Sequence, residues 1–567
     1  MPSGWIVWGG FVERYPTWPN LATMMFDLAG QWPGKPLFRF HRDNAWHTVS
    51  WATFARRAAS CARHLRAQGI APGDRVVICA ENRPDYPIAE VALMAIRAVT
   101  VPAYTTSTVE DHAHVLRDSG ARVAIVSSGA LADRMRAAGE RAGGLDLLLE
   151  MGSAAWEKML ADPEPPDDIA RDAALIPPTA MACVIYTSGT GGAPRGVMLP
   201  HRCILSNCRG AFDLVRPLKL RDEIYLSFLP LSHSYEHTVG NFFFASLGTE
   251  IVYARGVEHL AADMLAIRPT ILTAVPRVLE VIRGRVLTQM ARQPAWKQRL
   301  FQRALDIGYK RQDGLRLSFL EQIMDPVLDR LVRAKVRDRF GGRLVAAVCG
   351  GARLEPEIGR FFLALGLVLM QGYGQTEAGP VISATRPDAI RIDTVGPPLL
   401  GVEARLAEDG EILVRGDLVM DGYWGRPEET AAAIQDGWLH TGDIGSFDAA
   451  GNLRITDRKK DMIVLSGGEN VSPAKIEGML MAEPEIAQAV VAGDGRSGLT
   501  ALLVPAEGQD ATQAAGALGR VNTRLSVTER LRRHAIVAPF TVENGLLTPT
   551  QKIRRMLVIR ENAGLLA

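Results

Sequence analysis

The stretch Tyr186-Thr-Ser-Gly-Thr-Gly-Gly-Ala-Pro-Arg-Gly-Val197 decides how the rest of the chain is read. Before it, the apolar run Met181-Ala-Cys-Val-Ile185 predicts a buried strand; after it, Met198-Leu-Pro-His-Arg-Cys-Ile-Leu205 predicts the opening of a helix. Between them the hydroxyls of Thr187, Ser188 and Thr190 alternate with Gly189, Gly191 and Gly192, and one cation, Arg195, follows. Glycines let backbone amides approach a polyanion, hydroxyls add donors, and a guanidinium offers a permanently charged fork that matches phosphate. The pattern is that of a triphosphate cradle. A Walker loop requires Gly-Lys and then Ser or Thr, whereas Gly196 and Val197 follow Arg195 here. A nucleophile elbow requires glycine two residues before its serine, and Tyr186 stands there. A polar surface turn is the remaining alternative.

The order of residues in this loop resembles the signature loop of the adenylate-forming superfamily, which includes acyl-CoA synthetases, adenylation domains and luciferases. Two positions depart from it. Gly191 replaces a second threonine and removes a hydroxyl donor, while Arg195 replaces lysine and keeps the charge.

The bulk properties narrow the class. At 567 residues the chain exceeds one ordinary core, so two or more domains are expected. Hydrophobic residues make up 47% and charged ones 22%, the balance of a globular chain and not of a disordered one. A formal net charge of +2 gives no support to nucleic-acid binding. Six cysteines, scattered without CxxC pairing and often in apolar runs, read as core thiols in a reducing compartment and not as a zinc site. The N-terminus lacks the basic start and long apolar core of a secretory signal, and no apolar run reaches the length of about 18 residues needed to span a bilayer. A cytoplasmic protein is expected. Contact with the periphery of a membrane and association as a homodimer are left open by the sequence.

Between Trp46 and Ser128, strand-like runs (Arg75–Cys79, Val99–Ala103, Val123–Val126) alternate with helical spacing (Val49–Leu65, Ile88–Ala98). Such alternation predicts parallel sheets covered by helices. After the cradle, Glu223–Leu229 predicts a strand ending in Pro230-Leu-Ser-His-Ser-Tyr-Glu-His237, the kind of strand end where doubly wound sheets place ligands. The aromatic run Thr238–Leu247 reads as core, with part of it lining a pocket. From Val278 to Arg339 the chain is helical and Arg-rich. Leu320, Ile323, Met324, Val327 and Leu331 recur at helical spacing, and Pro326 marks a kink or a new helix start. Packed helices with a solvated basic face are expected there. Two further strands, Leu344–Cys349 and Leu367–Met370, each run into glycine-rich turns, Gly350-Gly-Ala-Arg-Leu354 and Gln371-Gly-Tyr-Gly-Gln-Thr-Glu-Ala378. Side by side they would form a flat slot for a purine, lying against Gly351 and Ala352 with Tyr373 on its face. Thr376 would bond a phosphate; Glu377 taken alone reads equally as a surface residue, and its role as an Mg²⁺ ligand is what the resemblance of Gly372-Tyr-Gly-Gln-Thr-Glu377 to the superfamily's Gly-Tyr-Gly-x-Thr-Glu motif implies. From Asp393 onward the texture is β-rich as far as Asp443 and the charged turn Asp457-Arg-Lys-Lys-Asp461.

The resemblance to the superfamily extends through these motifs in order, from about Leu21 to Arg560, and is strongest to acyl-CoA synthetases of the long-chain fatty acyl type. It implies an α/β fold. A large N-terminal adenylating domain, residues 1–457, would contain layered sheets flanked by helices and a β-rich subdomain; a small mobile α+β domain, residues 458–567, would follow. It further implies roles for particular residues: His233 beside the acyl carboxylate, Glu377 as the Mg²⁺ ligand, Asp443 and Arg458 on the ribose, and Lys460 as the hinge. Glycines near Gly468 would admit the pantetheine arm of CoA, and Lys552 would bridge the acyl carboxylate and the α-phosphate. The implied reaction consumes a fatty acid or related carboxylic acid, ATP and CoA. It needs no covalent nucleophile. Two alternatives are an acyl-adenylate ligase serving a carrier protein, and a non-catalytic nucleotide- or lipid-binding relative suggested by Gly191 and Arg195.

Overall fold

Short runs of Val, Ile, Leu and Ala, bounded by Gly, Pro and Asp, supply most of the strands in the computed structural model, which describes residues 7–8, 11–12, 15–187, 193–467, 469–548 and 553–566. Ser188, Gly189, Thr190, Gly468 and Lys552 therefore lie outside the described residues. The fold is α/β, and packing divides the chain into two units. One comprises residues 1–187, 195–403 and 414–439; the other comprises 188–194, 404–413 and 440–567. Residues 440–457, assigned to the N-terminal domain from the sequence, group with the second unit.

The first unit contains two large sheets. One has seven strands in the order Gly422–Tyr423, Arg195–Pro200, Met181–Thr187, Val99–Pro102, Arg75–Cys79, Val123–Ser127 and Leu147–Met151. The other has eight: Val381–Ala384, Leu369–Gly374, Ala346–Cys349, Ile271–Ala274, Ile224–Ser227, Glu250–Tyr253, Pro36–Arg42 and Ala45–Ser50. The central strands of both are parallel and buried, which is why they read as continuous apolar runs. Helix Asp85–Ala95 is buried along its whole length, so its sequence shows little one-sided pattern.

Three local expectations change. Met198-Leu-Pro200 does not open a helix. It extends strand Arg195–Pro200, which pairs antiparallel with Met181–Thr187, and the helix begins only at His201. Pro326 sits inside helix Phe319–Leu328 and does not start a second helix; the chain runs on from Leu328 into the π-helical turn Asp329–Arg333. The apolar positions expected to pack that helix, Leu320, Ile323, Met324, Val327 and Leu331, are all exposed.

In the second unit, Ile486–Ala492 and Leu499–Pro505 are antiparallel and Leu531–Ile536 adds in parallel. Helices Pro473–Met481 and Ala511–Thr523 contribute Ile476, Leu480, Leu518 and Val521 to the core that covers this sheet. Ser472 caps the first of them, accepting from the Lys475 amide at 3.3 Å, and Pro473 occupies the first turn, as the sequence predicts. Strand Trp438–Phe447 pairs with Leu453–Arg458 and sets Asp443 opposite Arg458.

Gly374 ends the strand that leads to Thr376 and Glu377, and a Cβ there would collide with the backbone carbonyl of Pro380. A backbone neighbour cannot rotate away. Gly374→Ala should therefore destabilise the first unit by about 3 kcal/mol, at the upper end of overpacking costs, in a chemical-denaturation series. An unchanged midpoint would show that this turn is not built as described.

Candidate functional site

The parallel register Cys349↔Gln371 places two glycine-rich turns beside each other. Gly351 has φ +82°, a conformation that favours glycine, and it and Ala352 are exposed at the end of Ala346–Cys349. Tyr373 lies half-buried on the neighbouring strand. The two glycine-rich turns expected from the sequence thus lie at the ends of neighbouring strands.

Glu377 follows within a short turn. Its carboxylate is buried, and its Oε1 accepts the Tyr423 hydroxyl at 2.9 Å. The Tyr423 ring carries the Arg195 guanidinium 4.2 Å from its centroid, and Arg195 also donates to Glu429 Oε2 at 2.9 Å. Burial opposes the Arg195 charge, but the hydrogen bond to Glu429 and the nearby Tyr423 and Glu377 outweigh it and hold the guanidinium more firmly protonated. Burial, then the Glu377 charge, keeps the Tyr423 hydroxyl protonated well above its ordinary range. Thr187 is paired directly opposite Arg195. The sequence offered no sign of Tyr423 or Glu429. Tyr423 arrives because Gly422–Tyr423 adds as an edge strand to Arg195–Pro200, with Val197 opposite Tyr423.

The His233 turn is anchored from below. His233 is half-buried, its amide donates to the Pro230 carbonyl at 2.9 Å, and its Nδ1 accepts from the Tyr235 amide at 3.2 Å. Ser234 Oγ lies 2.9 Å from Thr376 Oγ1, which ties this turn to the Glu377 turn. The next eight residues, Glu236–Phe243, form a wide π-helical segment. Two fully buried acids hold it. Glu90 contacts His237 Nε2 at 2.6 Å and accepts from Asn241 at 3.1 Å. Glu236 accepts from the Tyr225 hydroxyl at 2.7 Å, Ser227 at 2.6 Å and Thr273 at 3.2 Å. The aromatic run Thr238–Leu247, which overlaps this segment, has Phe242, Phe243 and Phe244 buried.

In the second unit, Asp443 is buried and lies 3.2 Å from Arg458 Nε. Lys460 is exposed in the turn that follows. Its neighbour Lys459 is the tethered one, 2.5 Å from Asp409 and 3.1 Å from Glu411. Leu547 and Ile553, flanking the undescribed residues 549–552, form an antiparallel bridge. Arg555 pins the chain just after it, donating to the Val491 carbonyl at 2.9 Å and pairing with Glu477 at 2.5 Å. All six cysteines are free and buried, and burial pushes their thiols up, to about 12 for Cys79, Cys203 and Cys208. Such thiols are poor nucleophiles at neutral pH. Among the described residues no three His, Cys, Asp or Glu gather as a metal cage. One buried carboxylate, Glu377, with Thr376 next to it suits an ion that takes its other ligands from phosphate and water, as Mg²⁺ does.

Comparison with known proteins places these features in a family. The model of the AMP-binding enzyme family matches residues 26–424, and that of the AMP-binding enzyme C-terminal domain matches 460–562. The long-chain-fatty-acid–CoA ligase FadD15 of Mycobacterium tuberculosis is 34% identical over 96% of each chain. The peroxisomal long chain acyl-CoA synthetase 6 of Arabidopsis thaliana is 29% identical over 90% of this chain and 80% of its own. Solved structures share the fold. ATP-bound MatB from Rhodopseudomonas palustris aligns with a TM-score of 0.74 at 22% identity, covering 97% of this chain and 100% of that one. The anthranilate CoA ligase AuaEII, in complex with anthranoyl-AMP, aligns with a TM-score of 0.75 at 19% identity, covering 96% and 98%. The chain belongs to the AMP-binding, adenylate-forming enzyme family, in its acyl-CoA ligase branch.

Burial is the largest influence on Glu236. It outweighs the hydrogen bonds from Ser227, Tyr225 and Thr273 and raises the carboxyl from 4.5 to about 7. The folded protein therefore holds this proton to higher pH than the unfolded chain does. The stability it contributes is complete below about pH 4.5 and is lost as pH rises through about 7. Glu236→Gln, which cannot ionise, should gain about 2–3 kcal/mol relative to the parent between about pH 5 and about pH 8. Parallel urea melts at the two pH values measure this, and equal pH dependence in both proteins would contradict it.

Proposed function

We propose that this protein is an ATP-dependent ligase that activates a long-chain fatty acid as its acyl-adenylate and transfers the acyl group to CoA, releasing AMP and pyrophosphate. The observation that carries the reading is the joint hold of Tyr423 on the buried Glu377 carboxylate and the Arg195 guanidinium, beside two glycine-turned strand ends. Extensive likeness to long-chain fatty-acid–CoA ligases supports the substrate class.

A carboxylate is a poor acyl donor because its leaving group would be oxide. Attack of a carboxylate oxygen on the α-phosphorus of ATP makes a mixed anhydride and expels pyrophosphate. The protein's part is to align anions that repel one another and to neutralise growing charge. In this reading the purine lies against Gly351 and Ala352 with Tyr373 on its face. Asp443 and Arg458 hold the ribose. Thr187, Ser188, Gly189, Thr190 and Arg195 receive the β- and γ-phosphates, for which Arg195 exchanges its partner Glu429. Thr376 bonds the α-phosphate, Glu377 holds Mg²⁺, which supplies further positive charge when bound, and His233 borders the fatty-acid carboxylate. Lys552 bridges that carboxylate and the α-phosphate. Residues 458–567 then turn about Lys460, withdrawing Lys552, and the CoA thiol enters past Gly468 to attack the acyl carbon. We place this chemistry in the cytoplasm.

Lys552→Ala separates the two halves of the reaction. Its fatty-acid-dependent exchange of pyrophosphate into ATP should fall roughly a hundredfold to a thousandfold, the loss typical of one preorganised charge donor. Transfer from a supplied acyl-adenylate to CoA should be largely spared. Normal exchange by the variant would remove Lys552 from adenylation.

A further inference from the structure

Helix Phe319–Leu328 is built inside out for a helix that faces water. Its buried face carries acids. Glu321 receives Lys310 Nζ at 2.7 Å and Arg303 at 3.3 Å, and Asp325 pairs with Arg333 at 2.7 Å and Arg311 at 2.5 Å. Its outer face is apolar: Phe319 is 76% exposed, Leu320 69%, Ile323 55% and Val327 54%, and Leu331 continues the stripe beyond the helix end. A solvated helix reverses this arrangement, with charges outward and aliphatic side chains against the core. Side chains at spacings of one, three and four residues form a contiguous stripe, and single exposed apolar residues do not.

The charge of the surrounding segment says what covers the stripe. Residues 276–339 contain 15 Lys and Arg against 7 Asp and Glu, a net charge of +8 in a chain whose total is +2. Several of those acids are already paired, Glu280 with Arg277, Asp313 with Arg360 and Asp329 with Arg337, besides Glu321 and Asp325. Arg316 and Arg330 are exposed just before and just after the helix, and Trp296 is exposed at the start of helix Ala295–Gln312. An apolar stripe bordered by cations, with an exposed tryptophan in the same segment, matches the interface of an anionic bilayer. There, acyl chains take the aliphatic side chains and headgroup phosphates take the arginines. A nucleic acid would engage the arginines but leave the stripe wet.

We propose that residues 315–331 dock this protein on anionic lipid surfaces, with Phe319, Leu320, Ile323 and Val327 entering the headgroup boundary and Arg316 and Arg330 on lipid phosphates. The purpose rests on the reading of the substrate as a long-chain fatty acid, which partitions into bilayers; the docking itself does not require turnover. Helix Phe319–Leu328 has 10 residues, too few to cross a bilayer, and its apolar stripe runs along one side, so the contact lies in the plane of the surface.

Flotation of the full chain with phosphatidylcholine vesicles, with and without phosphatidylglycerol, tests this without reference to catalysis. The parent protein should float with the anionic vesicles at least roughly tenfold better than with the neutral ones, and high salt should weaken the binding. Leu320→Glu/Ile323→Glu and, separately, Arg316→Glu/Arg330→Glu should each lose roughly tenfold or more of that partition, with unchanged thermal unfolding because all four side chains are exposed. Partition independent of lipid charge, or equal in the parent and both variants, would overturn the proposal. So would a parent that sediments as a dimer and becomes monomeric in Leu320→Glu/Ile323→Glu, which would assign the stripe to a second copy of the chain.

Discussion

One tyrosine keeps a cation and an anion close without letting them cancel. The hydroxyl of Tyr423 bonds Glu377, and its ring face carries Arg195. A direct Arg195–Glu377 pair would tie the cation to a buried carboxylate; the ion pair that Arg195 does make is with the partly exposed Glu429. A ring between Arg195 and Glu377 offers the guanidinium a contact worth about 0.5–2 kcal/mol while its fork stays available to Glu429 or to phosphate. The arrangement depends on tertiary structure throughout. Strand Gly422–Tyr423 must add to the edge of the seven-stranded sheet, and strand Leu369–Gly374 must turn at Gly374 to deliver Glu377.

The other half of the site is supported by buried polar chemistry. A carboxyl group out of water is costly unless it is fully hydrogen-bonded, and both Glu90 and Glu236 meet that condition. Glu236, the first residue of the π-helical segment, ties it to Tyr225, Ser227 and Thr273, and Glu90 ties His237 and Asn241 of the same segment to helix Asp85–Ala95. Gly240 makes the wide turn feasible, since a Cβ there would overlap the Glu236 carboxylate. Ser234 and Thr376 then join this half to the Glu377 turn. The position of the His233 turn thus depends on hydrogen bonds made by its buried neighbours Ser234 and Glu236.

Much of this was legible before the structure, for identifiable reasons. The strands were readable because parallel, doubly covered strands are written as unbroken apolar runs, as in Arg75–Cys79. The glycine turns at Gly351 and Tyr373 were readable because each follows such a run. Met198 to Pro200 was misread because a short antiparallel strand next to a helix start has the composition of either. Tyr423 and Glu429 gave no local signal, since their meaning comes from a pairing with residues more than 200 positions earlier. Helix Phe319–Leu328 was recognised by its period, but periodicity reports that a helix has an apolar side and not which side is covered. Its inward ion pairs with Lys310 and Arg333 settle that.

The central claim is that a carboxylate oxygen attacks the α-phosphorus of ATP. The most direct test supplies a long-chain fatty acid labelled with ¹⁸O in both carboxyl oxygens, together with ATP and CoA, and weighs the products by mass spectrometry. Adenylation followed by thiolysis predicts one ¹⁸O atom in AMP and none in pyrophosphate. Label in inorganic phosphate, with ADP as the nucleotide product, would mean that the acid is activated at the γ-phosphoryl group and would contradict the account.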